Sequence, residues 1–263
     1  MSATTYTTQL QAGLGMLDET RELLDLWQEG DSVGDLYQRA LSSGRFPSLS
    51  ARRLRNIVAE CFAPRYLSSP MPSVVLMKRL ADSLSAQEFR QLGTVFTCRA
   101  NPIVADFITN VYWSSYQAGR PRILTADARQ FVEQVNRDGL TTTPWSESTK
   151  KRVAGYLTGT LADFGFLDPT SRSDRAIVPV RIEPRAAGIV AYDLHLRGLT
   201  DSQVLAAKDW AIFGLERIDV VDLFKRLALQ GWFVFQSIRD SVRLGWNFHD
   251  QEELAHAFSN GKF

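Results

Sequence analysis

Apolar residues recur at three- and four-residue steps along most of the chain, the spacing of helices that bury one face. Leu14, Leu17, Leu24 and Trp27 set the first stripe, and Gly30 supplies a stop. Val33 through Leu41 continue as a second helix closed by Gly44. "SARRLRNIVAECFAPRYL" carries a third, expected to end before Pro64. From Met71 to Pro121 the pattern predicts three helices broken near Ser85 and Asn101–Pro102, and "TADARQFVEQVNRDG" adds another. "PWSESTKKRVAGYLTGTLADFGFL", from Pro144 to Leu167, is a capped helix, whereas "DPTSRSDRAIVPVRIEP" is a junction or wing-like excursion with a short strand expected at Ile177–Ile182. Helical spacing returns in "RAAGIVAYDLHLRG", "TDSQVLAAKDWAIFG" and "ERIDVVDLFKRLALQG". The period then drops to two, and "WFVFQS" and "SVRLGWNF" flank "IRD" as a β-hairpin before a closing helix in "DQEELAHAFSNG".

This pattern predicts a mainly α, compact helical protein with two helix-turn-helix, winged-helix-like modules and a small C-terminal β-hairpin. The expected division is an N-terminal helix-turn-helix module over 1–68 and a helical scaffold over 69–138. A second helix-turn-helix-like module follows over 139–182, and a C-terminal helical region with the hairpin covers 183–263.

Composition narrows the function classes only a little. Of the 263 residues, 44% are apolar and 22% charged, and 30 Lys and Arg balance 29 Asp and Glu, so net charge names no partner. The two cysteines, Cys61 and Cys98, have no zinc or disulfide spacing, which makes a reducing cytoplasm the expected location. No secretory signal pattern opens the sequence and no apolar run is long enough to span a bilayer, so no membrane association is expected. The chain has no Gly-rich phosphate loop and no nucleophile elbow. His195, His249 and His256 lack metal-ligand spacing, even where His249 stands near Glu252 and Glu253. No catalytic residue, metal site or cofactor is therefore expected.

Charge distribution says more than net charge. From Arg39 to Arg79 there are eight cations (Arg39, Arg45, Arg52, Arg53, Arg55, Arg65, Lys78 and Arg79) and one acid, Glu60. "SLSARRLRNIVAE" also echoes "SESTKKRVAGYLT": each reads Ser-x-Ser-x-cation-cation before an apolar stripe. With about 100° per residue, Leu54, Ile57, Val58 and Cys61 form the buried face of the first helix. Arg52, Arg55 and Asn56 then point away, with Arg53 on the flank. In the second helix the stripe is Val153, Tyr156, Leu157, Leu161 and Phe164, which leaves Ser148, Lys151 and Arg152 outward and Lys150 at the edge. Two explanations stand side by side. Ser and Thr at helix starts are ordinary N-caps, and surface cations are usually solvated. Cations in a first turn oppose the helix dipole, however, and the N-terminal residues of a recognition helix are the ones that meet bases and phosphates. The candidate DNA-binding residues are Arg45, Ser48, Arg52, Arg53, Arg55, Asn56, Ser148, Lys150, Lys151, Arg152 and, on the hairpin, Arg243, with Arg239 at its turn.

The order of "RFPSLSARRLRNIVAECFAPRYL", "PWSESTKKRVAGYLTGTLADFGFL" and "LALQGWFVFQSIRDSVRLGW" resembles the BrxA family of BREX bacteriophage-exclusion systems over most of the chain. The resemblance implies a non-enzymatic, mainly helical, double-stranded-DNA-binding protein acting among methyltransferase, ATPase-like and phosphatase-like BREX components. It carries onto Arg52, Arg53 and Arg55 in the first module and Ser148, Lys151 and Arg152 in the second. An interaction scaffold within the defence complex and a free-standing helix-turn-helix regulator are the alternatives. No dimerisation helix stands out in the sequence, so the isolated chain is expected to be a monomer.

Overall fold

The computed structural model describes residues 5–8, 15–68, 71, 73–238, 241–259 and 261. α1 (Leu17–Leu26) is followed by α2 (Val33–Ser42), which opens on a reciprocal cap. The Ser32 hydroxyl accepts the Asp35 N–H at 3.2 Å, and the Asp35 carboxylate accepts the Ser32 N–H at 3.0 Å. α3 (Ala51–Asn56) starts at Ser50, whose hydroxyl accepts the Arg53 N–H at 3.2 Å. The expected stop before Pro64 does not occur. The helix widens into a π-wound stretch, Ile57–Leu67, with Pro64 inside it. Proline lacks an N–H and its ring collides with the carbonyl four residues back, so pairing five residues back opens the turn where the ring needs room.

α4 (Ser73–Leu80) and α5 (Ala86–Ala100) break where the sequence predicts. α6 (Pro102–Phe107) begins on proline, where no N–H is required, and passes through a π turn, Ile108–Tyr112, into α7 (Trp113–Gln117). β1 (Arg122–Leu124), α8 (Thr125–Arg137), α9 (Glu147–Asp163) and β2 (Asp174–Ala176) follow. The strand expected at Ile177–Ile182 thus lies upstream of that position. β1 and β2 pair antiparallel from Arg122 opposite Ala176 to Leu124 opposite Asp174. Ile177 also bridges to Leu167, and the Asp168 N–H donates to Ala176 O at 2.9 Å. Pairing across the chain, not strand length, selects these residues.

After α10 (Pro184–Leu196), the single helix predicted in "TDSQVLAAKDWAIFG" is two pieces: α11 (Asp201–Leu205) and a 3₁₀ turn, Lys208–Phe213. Trp210 is buried and donates its indole N–H to Val204 O at 2.7 Å, which holds the tighter turn against the end of α11. α12 (Arg217–Leu229) leads into the predicted hairpin, β3 (Phe233–Ile238) and β4 (Ser241–Trp246), in register from Phe233 opposite Trp246 to Ile238 opposite Ser241. α13 (Gln251–Ser259) closes the described chain, which is mainly α as expected.

The chain forms two compact units, each made of two segments: Met1–Ser68 with Gly93–Val180, and Ser69–Leu92 with Arg181–Phe263. In the first, Leu24, Leu36, Val58, Phe62, Val132 and Leu161 are among the fully buried side chains. Gly15 joins the far ends of the two cationic helices there: Arg65 donates to Gly15 O at 3.3 Å, and the Gly15 N–H donates to the Asp163 carboxylate at 2.9 Å. A Cβ at Gly15 would lie 2.5 Å from Asp163 Cβ, so only glycine lets the backbone before α1 approach the end of α9 this closely. In the second unit, Tyr192, Trp232, Trp246 and Phe248 pack together, and a Cβ at Gly188 would lie 2.4 Å from the Trp232 ring.

Candidate nucleic-acid interface

In the first unit α7, β1, α8 and α9 are followed by a narrow antiparallel ribbon, residues 166–168 returning along β2. This order fixes α9 as the last helix before the ribbon. Its first turn is set by Ser146, whose hydroxyl accepts the Thr149 N–H at 3.3 Å and lies 3.0 Å from both the Thr149 and Ser148 hydroxyls. Val153, Leu157 and Leu161 face the core, as the period predicts. Tyr156 is only half-buried and not a full member of that stripe.

On the opposite face Ser148, Lys151 and Arg152 are exposed, and neither cation has an ion pair among the described residues. Lys150 differs. Its ammonium pairs with Glu147 and its side chain is 13% exposed. The Lys150 hydrogen bond, with Arg129 at 3.1 Å assisting, holds the Glu147 carboxyl below the usual carboxylate range. Glu147 thus pairs with Lys150, and Lys151 and Arg152 remain the exposed cations of α9.

α3 repeats the arrangement. Leu54, Ile57, Val58 and Cys61 are buried, while Arg52 and Arg55 are exposed and Arg53 and Asn56 are half-buried. Ser48 is exposed in the loop before the cap. The wider cation cluster is thinner than its count. Arg45 is held by Glu22 at 3.2 Å and by a short contact to Asp25, which pushes its guanidinium further toward the charged form. Arg39 pairs with Asp31 at 2.8 Å, Arg79 with Glu252 at 3.5 Å, and Arg65 is buried against Gly15. On α3, Arg52 and Arg55 remain exposed and Arg53 half-buried.

Arg243 is exposed on β4, opposite Gln236, in the second unit. Arg239 lies outside the described residues. One further cation belongs with the first-unit set and was not singled out from the sequence. Arg172 is exposed between Asp168 and Asp174, on the ribbon that follows α9, and carries no ion pair among the described residues. Its signal was the polar turn "DPTSRSD" between two apolar runs, which looks like any surface loop until the ribbon pairing places it. Glu253, considered beside His249, accepts the His249 backbone N–H at 2.8 Å.

The BrxA family model matches residues 4–191; α11, α12, the hairpin and α13 follow the matched stretch. No curated protein matches the chain significantly. The crystal structure of an uncharacterized protein from Magnetospirillum magneticum is similar in fold, with a TM-score of 0.58 at 19% identity over 72% of this chain and 94% of that one.

Proposed function

The chain belongs to the BrxA family, which associates it with BREX phage defence, and from that premise we propose that it is a non-enzymatic accessory protein that binds double-stranded DNA. The observation that carries this reading is the outward face of α9, where Ser148, Lys151 and Arg152 are exposed at the start of a capped helix. A helix preceded by another helix and followed by a strand ribbon is the arrangement of a winged helix, in which the last helix enters the major groove and the ribbon reaches the backbone. Lys151 and Arg152 then neutralise phosphates, helped by the unpaired first-turn amides, and Arg172 grips from the ribbon. Arg52 and Arg55 on α3 supply a second set of the same kind. The expected setting is cytoplasmic, beside methyltransferase, ATPase-like and phosphatase-like components.

A mobility-shift titration on duplex DNA across salt tests the proposal. Phosphate contacts release counterions, so affinity falls with salt, and Lys151→Glu with Arg152→Glu is expected to flatten the log–log slope by about 2. Salt-independent binding, or binding untouched by the two reversals, overturns it.

The scaffold reading keeps one specific observation in its favour, the mixed-charge and apolar surface of α12 in the second unit.

A further inference from the structure

α12 is also a helix followed by a pair of strands, but its outward face has the opposite chemistry to that of α9. Ile218, Asp222, Lys225 and Leu229 follow one another at steps of four, three and four residues, which keeps them within an arc of about 60° on the helix surface. Ile218 is 70% exposed and Leu229 89%, the two most exposed large apolar side chains among the described residues. Val234 on β3, 54% exposed, comes next. Leu229, Val234, Ala228, Phe235 and the stem of Lys225 line a groove of about 400 Å³. Single exposed apolar residues are ordinary on a soluble protein, but three of them gathered about one helix mark a contact surface.

The order of this stripe identifies what covers it. Read from either end it is apolar, charged, charged, apolar, with the acid and the base exchanged. Antiparallel packing against a second α12 about a two-fold axis therefore sets Ile218 against Leu229 of the second copy and Asp222 against Lys225 of the second copy. Every residue of the stripe meets its complement, as an isologous interface demands. Within one chain, Lys225 Nζ lies 3.0 Å from Asp222, and both side chains are more than half exposed, at 55% and 62%. That pair is solvated and able to re-form crosswise. A nucleic acid fits the face poorly, because Asp222 stands beside its one cation, Lys225, and its ends are apolar. We infer that the chain self-associates through α12 as a two-fold dimer, in place of the monomer expected from the sequence.

Sedimentation equilibrium without DNA, from low micromolar to hundreds of micromolar chain, tests this independently of the DNA reading. A reversible monomer–dimer equilibrium is expected. Leu229→Glu, at a site whose exposure spares the fold, is expected to weaken it at least about tenfold. Asp222→Lys and Lys225→Asp should each dimerise poorly alone. Mixed together they should form a heterodimer, since both crossed contacts then join opposite charges. A chain that stays monomeric throughout the range overturns the inference. So does a dimer indifferent to both Leu229→Glu and Ile218→Glu, or a mixture that associates no better than its separate components.

Discussion

Lys150 and Lys151 are neighbours in sequence but about 100° apart around α9, and that rotation separates an internal ion pair from an outward charge. The rotation was legible from the apolar stripe; the position of Glu147, which pairs with Lys150 and is itself bound by Arg129, was not, because Arg129 reaches α9 from α8. His195 is another residue whose behaviour comes from its surroundings. It stacks on Trp246 at 4.1 Å, and burial holds its imidazole below the usual 6.5, with Asp201 opposing the shift and His249 adding to it. A depressed folded value means that the unfolded chain takes up the proton first. This group therefore costs no stability above 6.5, and its contribution is lost as pH falls from 6.5 toward the lower folded value. His195→Phe keeps the stack and removes the proton. Thermal unfolding of that variant between about pH 5 and 7 is expected to depend less steeply on pH than the parent.

The long helices are the part of the fold that the apolar period predicts best, since each encodes its own buried face in neighbours three and four apart. α3 and α9 also announce their starts, through Ser50 and Ser146. β1 and β2 are three residues each and are held by partners about fifty positions away, so no local pattern marks them. The π-wound run through Pro64 escaped for a related reason: the local rule ends a helix there, and the packing of Ile57, Cys61 and Phe62 keeps it going. Within the candidate interface, pairing decides which cations of α3 and the loop before it are available. Arg45→Ala is expected to leave DNA affinity and its salt slope near the parent values, because Glu22 and Asp25 already hold that guanidinium. Arg52→Ala should lower the slope by about 1 in the same titration.

With a formal net charge of +1, the molecule has no general attraction for a polyanion, and binding has to come from where its cations are placed. α3 and α9 belong to the same compact unit. If both grip one duplex, their contributions to the salt slope add. Neutralising Arg52 and Arg55 to Ala, or Lys151 and Arg152 to Ala, should each remove about 2 from the slope, and the fourfold variant about 4, in mobility-shift titrations. Reading the chain alone was enough to establish a mainly helical class, the hairpin, the capped starts of α3 and α9, and the family resemblance that the match over residues 4–191 bears out. These are properties that a few consecutive turns of chain carry in their own spacing. Folding then settled the interleaving of the two units, the ribbon after α9, the cations spent on internal partners, and the uncovered self-complementary stripe on α12. Each of these depends on which distant residues come to lie against one another, and periodicity along a single helix holds no record of that.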